Sequence, residues 1–99
     1  MEDNDDEKLQ FEWDPQKAKK NLKKHGVSFE EASTIFDDPQ FISFLDEEHT
    51  AEEERHITIG LSEQLRLLTA AHTERKKLIR IISARKATKN EEKFYNEAE

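Results

Sequence analysis

The chain contains no cysteine, which removes disulfide staples, thiolate zinc sites, iron–sulfur clusters and cysteine nucleophiles together. Two glycines are too few for a glycine-rich phosphate loop, and no G-x-S-x-G turn is present, so nucleotide-cofactor folds and α/β-hydrolases are excluded. No apolar run approaches the ~18 residues of a membrane-spanning helix. The first seven residues hold five acids and no base, the reverse of a secretion signal or an Arg-rich transit peptide. These absences predict a cytoplasmic chain with a disordered acidic N-terminus over 1–8 and one domain over 9–99. Hydrophobic residues make up 33% of the 99, against the ~45–50% usual once glycine is counted. The core must therefore be thin, and a partner can complete it.

Charge is plentiful but segregated. The formal total is −7, yet the segment 15–25 holds five lysines and no acid, and 75–90 holds seven basic residues and no acid. Between them, 28–54 carries ten acids and neither Lys nor Arg. Such blocks can set up a strong positive potential on an acidic protein, which is what phosphate attraction needs. A lysine run on a helix is also what a merely solvated face looks like.

Alternation in Leu9-Gln-Phe-Glu-Trp13 predicts a short strand, after which Asp14-Pro15 starts a helix that runs to His25 and stops at Gly26. Ser28 and Glu31 have capping-box spacing and open a second helix with Phe29, Ala32 and Phe36 turned inward, ending at Asp37-Asp38-Pro39. From Phe41 the period becomes two, giving strands over Phe41–Asp46, Arg55–Leu61, Leu65–Thr73 and Leu78–Ala84, with connections short enough to make neighbours antiparallel. Thr88 and Glu91 repeat the capping pattern before a terminal helix. The expected fold is α+β, in the order β-α-α-β-β-β-β-α, with the helices on one face of a mainly antiparallel sheet.

His25, His49, His56 and His72 fall on separate elements without H-x-x-x-H spacing, so no metal site and no cofactor is expected. What remains is cations, carboxylates and imidazoles on a sheet. Metal-free RNA cleavage asks for little else: a base for the 2′-hydroxyl, a cation for the charge on phosphorus and an acid for the leaving 5′-oxygen. Glu54, His56, His72, Arg80, Arg85 and Tyr95 are the candidates. Each also has an ordinary structural use, as half-exposed strand histidines or a packed tyrosine.

Phe11-Glu-Trp-Asp14, Lys24-His-Gly-Val-Ser-Phe-Glu-Glu-Ala32, Phe36-Asp-Asp-Pro39, Glu54-Arg55 and above all Arg80-Ile-Ile-Ser-Ala-Arg-Lys-Ala-Thr88 with Glu91 and Tyr95 resemble the BrnT toxin family of bacterial type II toxin–antitoxin systems, in order from Leu9 to Tyr95. The resemblance implies a RelE-like fold and a metal-independent endoribonuclease that inhibits translation and growth. It implies a BrnA-type ribbon-helix-helix antitoxin that neutralises the toxin, reaches promoter DNA and forms a repressor with it. On that reading Arg80 and Arg85 serve phosphate, Glu54 or His56 is the base, and His72 or Tyr95 the acid. Lys24, His25, Arg55, Lys86 and Lys89 are the expected RNA-binding residues. Glu92 stands where the family pattern has arginine, which implies the alternative of a weak or inactive nuclease acting as a co-repressor.

Overall fold

A computed structural model describes residues 8–49 and 53–98; the acidic N-terminus expected to be disordered lies, through residue 7, outside the described residues. The chain runs β1 (Gln10–Glu12), α1 (Pro15–His25), α2 (Phe29–Ser33) with a 3-10 turn (Thr34–Asp37), β2 (Ile42–Leu45), a second 3-10 turn (Glu47–His49), β3 (His56–Leu61), β4 (Leu67–Arg75), β5 (Leu78–Lys86) and α3 (Lys89–Glu97). The element order is the expected one. β2 to β5 form an antiparallel meander, and β1 is added parallel to β5, for a sheet ordered β1-β5-β4-β3-β2.

Local chemistry explains the helix boundaries. The Asp14 carboxylate accepts from the backbone N–H groups of Gln16 and Lys17, Pro15 occupies the first helical position, and Gly26 closes α1 at φ 71°. Ser28 Oγ accepts from Glu31 N at 2.9 Å, but the reciprocal half of the predicted capping box is not made. Glu31 is instead drawn to the Arg66 guanidinium and to Ser62 Oγ, tying α2 to the β3–β4 turn. The Arg66 hydrogen bond lowers the Glu31 carboxyl below its ordinary value, against the opposing effect of burial. In α3 the capping box is complete, between Thr88 and Glu91.

One face of the sheet carries the main core. Val27, Phe29, Ala32, Ile35 and Phe36 pack on Leu68 and Ala70 of β4 and on Ile79, Ile81 and Ala84 of β5. Phe11 packs at a tilt on Phe36 and Trp13 meets Phe29 edge to face, at 5.4 and 5.9 Å between ring centroids. Gly60 lies under the 3-10 turn so closely that a Cβ would meet Ile35 O at 2.9 Å.

The expectation that all helices share a face is corrected by α3, which crosses the other one. Thr69, which alternates away from the core residues Leu68 and Ala70, bonds Glu91 of α3, and Phe44 of β2 meets Phe94 at 5.9 Å. The main core needs only α1 and α2, so the opposite apolar residues Ile42, Phe44 and Ile59 have α3 as their cover.

A bulge decides which way the basic strand points. Ala71 pairs with Ser83 but His72 pairs with Ile81, so Ile82 has no partner on β4. Ile79 and Ile81 face the core and so does Ala84, one position out of simple alternation. Arg85, which strict alternation would aim beneath α1 and α2, is thereby turned to the α3 side together with Arg80. Asn21 fixes the shift: β1 pairs only as far as Arg80, and the Asn21 amide supplies both bonds to the backbone of Ala84 that a neighbouring strand would have made.

Candidate functional site

The α3 side of the sheet is covered only in part, and its two ends carry different chemistry. At the β1 end, Arg80 bonds Glu12 at 3.1 Å across the parallel β1–β5 pair, and Arg75 approaches Glu53 at 3.5 Å. Thr73 and Leu78 complete the lining of a cleft of about 240 Å³. Arg80 and Glu12 are both about half exposed, so neither charge is sequestered. The cleft thus holds two guanidinium groups, two carboxylates and a hydroxyl within reach of solvent.

At the other end, Arg85 grips Glu91 with two hydrogen bonds of 2.7 and 2.9 Å, and Glu91 also accepts from Thr69 Oγ1 and Thr88 N. The Arg85 hydrogen bond, helped by Thr88 and Thr69, holds the Glu91 carboxyl near 2 although burial acts the other way, and Glu91 raises Arg85 in return. A carboxylate at about 2 is a poor proton acceptor at neutral pH, so this pair anchors α3 rather than moving a proton. Arg80 and Arg85 pair with Thr73 and Thr69, so their backbones stand roughly 13 Å apart at ~3.3 Å per residue, and Glu12 and Glu91 hold their guanidinium groups separately.

The remaining sequence-predicted residues separate. Lys86 and Lys89 flank the β5–α3 junction beside Arg85, and α1 brings Lys24 and His25 to the same end, where Arg66 bonds Gly26 O and Ala87 N bonds Leu67 O. Glu54 and Arg55 lie at the start of β3, toward the end that holds Arg75 and Arg80. Tyr95 donates to Asp38, which also accepts from Leu61 N. Burial and then the Asp38 carboxylate push Tyr95 up to about 12, and the arrangement ties α3 to the 3-10 segment. His56 and His72 face the α1/α2 side, opposite Arg80 and Arg85. His72 is fully buried. Its ring meets the Phe36 ring edge-on at 5.1 Å and stacks on His56. Burial first, then His56, pushes His72 down to about 4, while the Thr73 backbone exerts a smaller upward pull without a well-formed hydrogen bond. The six expected catalytic residues therefore do not converge on one point.

Sequence reading missed Glu12, Glu53, Thr73 and Arg75 as cleft residues and Glu91 as the partner of Arg85. The pairing of Glu12 with Arg80 spans 68 positions, and no local pattern announces it. Glu91 was visible as a helix cap, and its second use required the bulge. Among the described residues His56, His72 and Glu74 form a compact cluster of possible metal ligands; His72-Thr73-Glu74 is an H-x-E spacing on β4 that the sequence reading overlooked, and only His56, from the neighbouring β3, is absent from the linear pattern.

Comparison with known proteins gives the family of the chain. A family model described as ribonuclease toxin, BrnT, of type II toxin–antitoxin systems matches residues 13–91. The crystal structure of the Brucella abortus ribonuclease toxin BrnT is similar with a TM-score of 0.62 at 20% identity, over 82% of this chain and 99% of that one. At that identity the likeness is one of fold. No curated protein matches. The family match takes in Arg75, Arg80 and the Arg85–Glu91 anchor but begins just after β1 and Glu12, and on it the chain belongs to the BrnT family of ribonuclease toxins of type II toxin–antitoxin systems.

Proposed function

We propose that this chain is a metal-independent endoribonuclease that cleaves at the β1–β5 cleft and holds the flanking RNA on the basic end around Arg85. The observation that carries this reading is the meeting of Arg80 and Arg75 with Glu12 and Glu53 on the face that α1 and α2 leave open. Glu12 accepts the 2′-hydroxyl proton, the 2′-oxygen attacks phosphorus, and Arg80 with Arg75 stabilises the charge that builds on the phosphoryl oxygens. The 5′-oxygen leaves with a proton from water, giving a 2′,3′-cyclic phosphate and a 5′-hydroxyl. Glu54 and Arg55 border this end, while Lys24, His25, Lys86 and Lys89 join Arg85 in holding the backbone of the strand. His56 and His72, on the opposite face, have no part in the chemistry, and Tyr95 acts as a fastener for α3.

The fold expectation of a RelE-like toxin, a cytoplasmic site of action and inhibition of translation belong to the same reading. So does neutralisation by a BrnA-type ribbon-helix-helix antitoxin that covers the open face and alone touches promoter DNA. The test is cleavage of an oligoribonucleotide in the presence of a chelator. Arg80→Ala should lower the rate by about 10²–10³, whereas a chain that binds RNA without cleaving it would sink the proposal.

One observation favours a second reading. Arg75, Arg80 and Arg85 are each held by a carboxylate, and Glu92 adds an exposed acid on α3. A face so neutralised suits a binding module that serves the antitoxin as co-repressor. Restored growth arrest on Glu92→Arg, in a chain otherwise harmless to cells, would support that reading.

A further inference from the structure

His56 and His72 are direct partners on β3 and β4, and Glu74 follows two positions along β4 on the same side of the sheet. One ring nitrogen of each histidine and one carboxylate oxygen of Glu74 all lie within 4.8 Å of one another. Glu74 Oε2 is already 3.6 Å from His72 Nδ1. Both Nδ1 atoms are buried, and neither has a hydrogen-bond partner. Two orphaned imidazole nitrogens beside a carboxylate are a costly arrangement unless something binds there.

The surroundings hold His72 in the pose of a ligand. Its ring is fully buried between Phe36 and His56, and its Nε2 is 2.7 Å from Thr58 Oγ1, which in turn meets Ser43 Oγ. A ligating histidine is ordinarily oriented by a hydrogen bond at its other nitrogen, and Thr58 supplies that bond. With Nε2 donating to Thr58, the Nδ1 electron pair is left facing Glu74. Two imidazoles and one carboxylate suit Zn²⁺ and its neighbours, whereas Mg²⁺ and Ca²⁺ prefer oxygen alone.

We propose that His56, His72 and Glu74 bind one transition-metal ion of the Zn²⁺ class, with the fourth position open to water. Bonds of about 2.0–2.1 Å place tetrahedral donors roughly 3.4 Å apart, so the His72–Glu74 spacing fits with little change. The closing movement falls on half-buried His56, whose ring is now 17° from parallel with that of His72 and turns about χ2 to aim its nitrogen inward. The cluster lies on the α1/α2 side, away from the Arg80 cleft. The ion therefore clamps β3 to β4 and takes no step in RNA cleavage.

The test uses the full chain, stripped of metal by a chelator and then freed of the chelator. It is titrated with Zn²⁺ by calorimetry and with Co²⁺ by visible absorption, and its melting temperature is followed. The expected result is one saturable ion per chain, a tetrahedral Co²⁺ spectrum and a higher melting temperature. His56→Asn and Glu74→Gln should each weaken binding by at least about tenfold while leaving the metal-free circular dichroism unchanged. No saturable binding overturns the proposal, and so does Zn²⁺ binding that both substitutions leave intact, which would place the ion on surface carboxylates. If His56→Asn fails to fold, Glu74→Gln decides alone, because Glu74 is exposed at the end of its strand.

Discussion

Replacing Asn21 with alanine should damage this domain far more than its place on a lysine-rich helix suggests. Its amide is only 8% exposed and makes three hydrogen bonds to backbone: Nδ2 to Val27 O at 2.9 Å, Nδ2 to Ala84 O at 2.8 Å, and Oδ1 from Ala84 N at 3.1 Å. Alanine removes all three and leaves two carbonyls and one N–H without partners in a place water reaches poorly. At a net cost of ~1 kcal/mol for each lost bond, Asn21→Ala should lose about 3 kcal/mol. For a domain of this size that is a large share of a total stability of roughly 5–15 kcal/mol and corresponds to a melting temperature lower by about 15 °C. Urea unfolding is the assay, with the midpoint expected to fall at constant slope. Asn21→Asp should be worse, because it keeps the acceptor, loses both donors and points a carboxylate at two carbonyl oxygens. A loss below about 1 kcal/mol in Asn21→Ala, or an aspartate variant more stable than the alanine one, would refute the assignment of Asn21 as the substitute strand beside β5.

Other consequences follow from single contacts. Gly60→Ala should destabilise by about 1–3 kcal/mol, since its Cβ would press on the Ile35 carbonyl rather than on a flexible side-chain tip; thermal melting measures it. Leu65 adopts φ 64° with its side chain 78% exposed, so Leu65→Gly or Leu65→Asn should leave stability unchanged or raise it by up to about 1 kcal/mol. Glu91 titrates near 2 in the folded chain against an ordinary 4.5, so its contribution is complete above the higher value and is lost as pH falls toward the lower. Glu91→Gln should therefore narrow the gap to wild type as the pH of urea unfolding is lowered through that window. An equal gap at every pH would contradict the pairing with Arg85.

How much of this was readable beforehand depends on the range of the interaction. Asp14-Pro15, Gly26 and the Thr88–Glu91 cap act within a few residues, so the helix boundaries follow directly from the sequence. The position of α3 does not, because Thr69 and Phe44 look like ordinary outward residues until a helix covers them. The bulge at Ile82 leaves only a faint trace, the adjacent Ile81-Ile82 pair, yet it sets the direction of Arg85. His72 shows the limit on the site itself: alternation links it to Leu68 and Ala70, but only the packed structure reveals that Phe36 and His56 enclose it completely. The parallel addition of β1, which brings Glu12 to Arg80, has no local signal at all.

The most direct measurement compares wild-type chain and Arg80→Ala on an oligoribonucleotide and on the same sequence with deoxyribose, with a chelator present throughout. Wild type should cut only the ribose substrate and leave 2′,3′-cyclic phosphate ends, and Arg80→Ala should be slower by about 10²–10³ with its fold intact. Equal rates for the two proteins, or cleavage of the deoxyribose strand, would contradict a 2′-hydroxyl mechanism at the β1–β5 cleft.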